Sequence, residues 1–223
     1  MASRHDRLTR SVAVIGLGRF GKSLALELMG EGAEVLGVDA DPAVVQALSG
    51  RLTHVVCADS TQDEALHQLG ISDFRKVVVG IGTDIEASIL TTSVLVDAGI
   101  GDIWAKAISH SHARILGKVG AHHVVRPEHD MGKRVAHLIR GRMLDYIEFD
   151  DGYAMAKTNA PRWMWELSLG DSEARRKHDI TVVAIKRRGE DFTYATAETV
   201  VRPGDVFIVS GTRDRVEAFS ALD

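Results

Sequence analysis

The chain has 223 residues, 45% of them hydrophobic, which is enough to bury one large core or a core and a smaller second one. Its 27 basic and 31 acidic side chains give a net charge of −4, so no basic surplus marks nucleic acid as a partner. The longest apolar run, Ile89 to Val96, is broken by Thr91, Thr92 and Ser93 and stopped by Asp97, which argues against a membrane span; the polar start, Met1 to Arg10, does not read as a secretory signal.

In chain order, β-branched runs alternate with amphipathic stretches. The runs are Ser11–Ile15, Glu34–Asp39, His54–Cys57, Lys76–Val79, Asp102–Lys106 and His123–Val125. Helical patterns lie between them near Phe20–Glu31, Asp41–Leu48, Gln62–Leu69, Ile85–Ala98 and His110–Val119. Strands such as Val77-Val78-Val79 are apolar throughout rather than alternating, as in a parallel sheet covered on both faces. Repeated strand–helix units with short loops imply an α/β fold with a Rossmann-like doubly wound sheet. Cys57, the only cysteine, reads as a packed core residue and fits a reducing cytoplasm.

Near Asp130–Leu144 the spacing of Val135, Leu138, Ile139 and Met143 predicts one helix. After Asp145 the pattern changes to Tyr146–Phe149, Ala154–Thr158, Thr181–Lys186 and Val206–Ser210, strands separated by Asp150-Asp151-Gly152, Arg188-Gly189-Glu190 and Arg202-Pro203-Gly204-Asp205 turns, with a last amphipathic segment at Arg213–Ala221. The boundary is expected near residue 145: residues 1–144 form the doubly wound lobe with its last helix, and residues 145–223 a small α+β lobe.

The run Val12–Ile15 leads directly into Gly16-Leu17-Gly18-Arg19-Phe20-Gly21 and then a helix. Gly16 allows a tight turn, Gly18 lets a phosphate approach the backbone, and Gly21 lets helix and sheet pack closely, with helix N–H groups facing the anion. Asp39 ends the second strand, where a carboxylate can accept from both ribose hydroxyls and disfavours a 2′-phosphate. Asp41 can touch the ribose or cap the next helix. Asp59 and Ser60 follow the third strand at the sheet's carboxyl edge, where Asp59 can accept from an adenine amine or cap a helix.

Several stretches together resemble the RCK (regulator of potassium conductance, or KTN) domain: Val14–Gly21, Ala58-Asp59-Ser60-Thr61, Ser88–Thr92, Ala105-Lys106-Ala107 and Pro127–Gly132. The Gly-Arg-Phe-Gly variant is most similar to KtrA-type members of this KtrA/TrkA group of regulatory subunits. The resemblance implies ATP or ADP as ligand, with Arg19 reaching the terminal phosphates, Phe20 beside it in the loop, Lys106 helping to hold phosphate, and Glu128 ligating Mg2+ or Na+. Glu128 has a plainer alternative as a first-turn glutamate complementing the helix dipole. The resemblance further implies a homodimer built into an octameric ring on the cytoplasmic face of a KtrB/TrkH-type membrane partner. In KtrA-like members the small lobe binds cyclic di-AMP through an arginine and an asparagine. Here Arg175 matches, Thr181 replaces the asparagine and Asp179 adds negative charge, so that ligand is not favoured.

Two alternatives stay open. A TrkA-like regulator would bind NAD(H), which Asp39 serves as well as ATP; Arg19 tilts the reading toward ADP and ATP. An NAD-dependent oxidoreductase shares the Rossmann lobe, but a second lobe of this size is small for a substrate domain, and His110, His112, His122 and His123 are not paired with acids in a catalytic order. Trp163 and Trp165 read as packing or interface residues of the small lobe.

Overall fold

The computed structural model describes residues 11–140, 143–149 and 152–223. The expectations for Met1–Arg10 and for the Asp150-Asp151 part of a turn lie outside the described residues. Two compact units divide the chain, one running up to Glu128 and the other from His129 to Asp223.

The first unit is built from β1 (Ser11–Ile15), α1 (Arg19–Gly30), β2 (Glu34–Asp39), α2 (Pro42–Leu48), β3 (His54–Cys57), α3 (Asp63–Gln68), β4 (Lys76–Val79), α4 (Ile85–Asp97), β5 (Asp102–Lys106), α5 (His110–Val119) and β6 (His123–Val125). All strands are parallel, in the order β3-β2-β1-β4-β5-β6. The order reverses between β1 and β4, the place where doubly wound sheets open a crevice at the strands' carboxyl ends. The continuous apolar runs follow from cover on both faces. Ala13, Ile15, Val77, Val79 and Ile103 pack on one side with Leu66, Leu95 and Leu116; Val12, Val14 and Val78 pack on the other with Ala25 and Leu48. No helix among the described residues is long and apolar enough to cross a membrane. Cys57 departs from expectation: it is exposed, because β3 is an edge strand that ends there.

Helix α6 (Pro127–Arg140) leads into the second unit, with β7 (Met143–Glu148), β8 (Tyr153–Asn159), α7 (Leu169–Ser172), α8 (Ala174–His178), β9 (Thr181–Lys186), β10 (Thr193–Tyr194), β11 (Val206–Thr212) and α9 (Arg213–Ser220). The strands pair antiparallel in the order β10-β9-β11-β8-β7. Tyr146, Ala156, Ile185, Phe207 and Val209 are buried there with Val216 and Phe219 of α9, and Trp163 and Trp165 pack against the same core. Met143 corrects the helical reading: it opens β7 and is buried in this core rather than continuing α6. The strand pairing shifts register between Met143 and Asp145, so two buried residues, Met143 and Tyr146, fall three apart. Met143 keeps the helical period only because it falls four residues after Ile139.

Candidate nucleotide-binding site

The turn after β1 is fixed by backbone contacts that admit no side chain. Gly16 has φ +85 and donates its N–H to the Val38 carbonyl at 2.8 Å. A Cβ there would stand 2.8 Å from the Ile81 nitrogen, and one on Gly21 would collide with the Gly16 carbonyl oxygen. Gly80, at the end of β4, donates to the Ile15 carbonyl at 2.7 Å and leaves equally little room, since its Cβ would meet the Gly16 oxygen at 2.7 Å. The carboxyl ends of β1 and β4 therefore lie as close as backbones allow. Gly18 differs: a Cβ there would meet nothing within 4 Å, so its missing side chain leaves open space in front of α1.

That space faces a helix start without an internal acceptor. Gly18 is the N-cap of α1, no side chain caps it, and the first turn holds no acid. Three of its neighbours are closed off, whereas α3 also lacks a side-chain cap but carries Asp63 and Glu64 in its first turn. Asp41 caps α2, accepting from Ala43 N–H at 2.8 Å; Asp84 caps α4, accepting from Ala87 N–H at 2.9 Å; Ser109 caps α5, accepting from His112 N–H at 3.1 Å. The first N–H groups of a helix need acceptors, and at α1 an anion from outside can supply them.

Asp39 sits half-buried at the end of β2, beside this turn. Its carboxylate accepts from Leu17 N–H at 2.6 Å and from Asp41 N–H at 2.9 Å. It thus ties the glycine loop to the second strand, and its remaining lone pairs can still accept from hydroxyls. Asp41 is spent on its cap, the plainer of its two expected roles. Asp59 is exposed beyond β3 and accepts from the Thr61 hydroxyl at 2.7 Å; that bond holds its carboxyl below the usual range. Ser60 turns away from the surface, its buried hydroxyl bonded to Thr91 of α4 at 2.8 Å.

A second group of charges lies at the ends of β5 and β6. Lys106 is buried, and its Nζ donates to Glu128 Oε1 at 2.7 Å. Only 10% of the lysine side chain is exposed against 62% of the glutamate's, so the ammonium is the member held in place. Nζ also lies 5.7 Å from the centre of the Phe20 ring. A Cβ on Gly82 would come within 3.3 Å of Nζ, so the Gly80-Ile81-Gly82 loop leaves the lysine its room. The Lys106 hydrogen bond holds the Glu128 carboxyl below the usual range, and the Arg19 charge adds to the attraction. Arg19 itself is exposed at the first turn of α1. Among the described residues no three His, Cys, Asp or Glu side chains converge as a metal site. A cation at Glu128 would therefore draw most of its ligands from a bound phosphate or water, which suits hard cations with oxygen ligands. Two of the histidines have roles in packing and backbone bonding: His112 is buried, burial pushing its pKa down, and His122 Nδ1 accepts from Ile103 N–H at 3.0 Å.

One crevice edge thus carries an uncapped helix start, a carboxylate beside a glycine turn, and two basic side chains. Residues 12–127 match the TrkA-N domain and residues 160–222 the TrkA-C domain. Over 213 residues the chain is 38% identical to Ktr system potassium uptake protein C of Bacillus subtilis, covering 95% of this chain and 96% of that one. It is 37% identical over 211 residues to Ktr system potassium uptake protein A of the same organism, covering 94% and 95%. The chain belongs to the TrkA-N/TrkA-C (RCK) family. Both relatives are named as potassium uptake proteins rather than as oxidoreductases. The fold is shared with a structure described as the GsuK channel bound to NAD, with a TM-score of 0.66 at 16% identity, covering 96% of this chain and 39% of that one.

Sequence reasoning missed the Gly80–Gly82 loop and Thr91. A pair of glycines directly after the Val77–Val79 run was the available signal for the loop; the Ser60–Thr91 bond had none. In the second unit a cavity of about 590 Å3 is lined by Arg175, Arg176, Glu173 and Thr181 among others. Asp179, expected near phosphates, is not among its lining residues, while Glu173 is.

Proposed function

We propose that this Ktr-type protein is the cytosolic, nucleotide-sensing subunit that gates a KtrB/TrkH-type membrane partner. ATP or ADP is its ligand, bound at the carboxyl edge of the first sheet. The observation that carries this reading is the start of α1, open in front of Gly18 with neither a side-chain cap nor a first-turn acid, while α2, α4 and α5 are capped from within and α3 carries Asp63 and Glu64 in its first turn. The pyrophosphate takes the free N–H groups, Asp39 accepts from the ribose hydroxyls, Asp59 lies toward the base, and Arg19 reaches the terminal phosphate.

Lys106 supplies the link to the rest of the chain. A phosphate that draws its ammonium competes with Glu128, and Glu128 is the second residue of α6. Loss of the ion pair alters how the start of that helix is held. Mg2+ or Na+ bridging Glu128 and the phosphates would replace the lost partner. Such a ligand shifts the equilibrium between conformations only by its difference in affinity for them, so ATP and ADP act differently because the terminal phosphate meets Arg19 and Lys106.

Assembly follows from α6 in this reading. Val135 and Ile139 are 40% and 79% exposed, while Leu138 packs into the second unit's own core. The exposed pair marks the face that meets a second copy, giving a homodimer and, from dimers, an octameric ring on the cytoplasmic face of the membrane partner. Calorimetry of ATP, ADP and NADH on one sample, with light scattering in each, tests the proposal. ATP and ADP are expected to bind more tightly than NADH to an oligomer. A monomer, or NADH as the tightest ligand, would overturn the ATP/ADP gating subunit and leave the TrkA-like alternative.

A further inference from the structure

A separate groove in the second unit, about 370 Å3 in volume, lies along the β9–β10 hairpin and the loop leading to Arg202. Arg187, Glu190, Thr193, Tyr194, Glu198 and Arg202 are among the residues that line it. Local turns fix the two arginines. Glu190 N–H donates to the Arg187 carbonyl at 3.1 Å, with Gly189 at φ +83 closing the hairpin, and Arg202 N–H donates to the buried Asp205 carboxylate at 2.8 Å.

Both guanidinium groups lack a hydrogen-bond or ion-pair partner among the described residues. Arg187 Nε is moreover shut off from solvent without an acceptor. Folded proteins rarely leave such a donor unmade, and a missing ion is one reason they do. The carboxylates in the groove do not neutralise the arginines. Glu198 is engaged by its own backbone N–H and the Thr196 hydroxyl, which hold its carboxyl below the usual range. Glu190 makes no hydrogen bond through its side chain among the described residues, and Tyr194, 91% exposed, also lines the groove.

We propose that this groove binds a small zwitterionic aminoalkyl phosphate ester, its phosphate between Arg187 and Arg202 and its ammonium against Tyr194 and Glu190. Guanidinium forks match phosphate oxygens in charge and geometry. An aromatic face beside a carboxylate suits an ammonium. Two acids among the lining residues disfavour polyanions, so this ligand does not compete with the nucleotide of the first unit. The volume lies in the range of small-molecule sites.

The test is calorimetry on the full chain with ATP in excess, which keeps the probes out of the glycine-turn site. O-phosphoethanolamine is expected to bind about tenfold more tightly than inorganic phosphate. Arg187→Gln and Arg202→Gln should each weaken both probes by about tenfold or more, whereas Glu190→Gln should weaken O-phosphoethanolamine alone. Should Arg187→Gln fail to fold by circular dichroism, the Arg202→Gln variant carries the same test. Vesicles of phosphatidylethanolamine separate two sources of this chemistry. Capture by vesicles that is lost in Arg202→Gln assigns a lipid headgroup, and binding of the free ester alone assigns a soluble metabolite. Absence of binding to either form at millimolar concentration, or binding that both arginine variants retain, overturns the site.

Discussion

In the first unit, Gly16, Gly21 and Gly80 sit where backbone meets backbone, and a methyl group at any of them would run into another strand or turn. In the second unit, Gly152, Gly189 and Gly204 all have positive φ, yet a Cβ on any of them would meet nothing within 4 Å. The first set is there for close approach and the second for chain reversal. Close approach builds a site: it draws the ends of β1 and β4 together and leaves a helix start facing open space. Chain reversal joins strands, and the second unit's own close approaches are looser, an added Cβ on Gly170 or Gly211 standing 3.2 or 3.1 Å from a backbone carbonyl oxygen.

Substituting single methyl groups separates the two uses. Gly21→Ala should be the most damaging, since its methyl would collide with the Gly16 carbonyl, in a turn tied to β2 by the Gly16 N–H bond to Val38. Overpacking of this kind costs about 1–3 kcal/mol or more, read as a lowered urea midpoint. Gly18→Ala should leave that midpoint unchanged, because its φ of −60 suits alanine and its surroundings are open. It should instead weaken ATP and ADP by about tenfold or more, roughly 1.4 kcal/mol, by placing a methyl where phosphate belongs. Equal nucleotide binding in Gly18→Ala would sever the link between the open helix start and the ligand. Gly204→Ala should cost about 1–2 kcal/mol of stability through its φ of +86, with nucleotide affinity unmoved.

The smallest effect concerns Glu128. Its carboxyl is depressed by Lys106, so its contribution to stability is present above the usual glutamate range and lost as pH falls through the depressed value. The side chain is 62% exposed, and solvent screens most of that contribution. Glu128→Gln should therefore shift the unfolding midpoint only slightly at pH 7, with the difference vanishing once the pH falls below the depressed value. It should also remove any dependence of ATP affinity on Mg2+ or Na+, measured by titration with and without the cation. A persisting dependence returns Glu128 to a helix-start role.

The same contrast explains what the sequence made legible. The six parallel strands could be read to the residue because each is short, apolar throughout and bounded by glycine, acid or turn chemistry. The second unit was less transparent. Met143, the first residue of β7, lies four residues after Ile139 and so kept the helical period, and β10, α7 and α8 are too short for a period to emerge. Within the crevice, Gly16, Gly18, Gly21 and Asp39 come together as their spacing implied. The inward turn of Ser60 was hidden, since a serine after a strand looks the same whether its hydroxyl faces a ligand or a neighbouring helix. Cys57 misled for a similar reason: an apolar run does not say whether its strand is central or at the edge.

The measurement that bears most directly on the nucleotide site is calorimetry of ATP and ADP on the wild type and on Asp39→Ala. Asp39 joins the glycine turn to β2 through Leu17 N–H and is the acceptor offered to the ribose. Loss of a hydrogen bond to a charged group should weaken both nucleotides by about 1.5–3 kcal/mol. Undiminished affinity for ATP and ADP in Asp39→Ala would contradict the site.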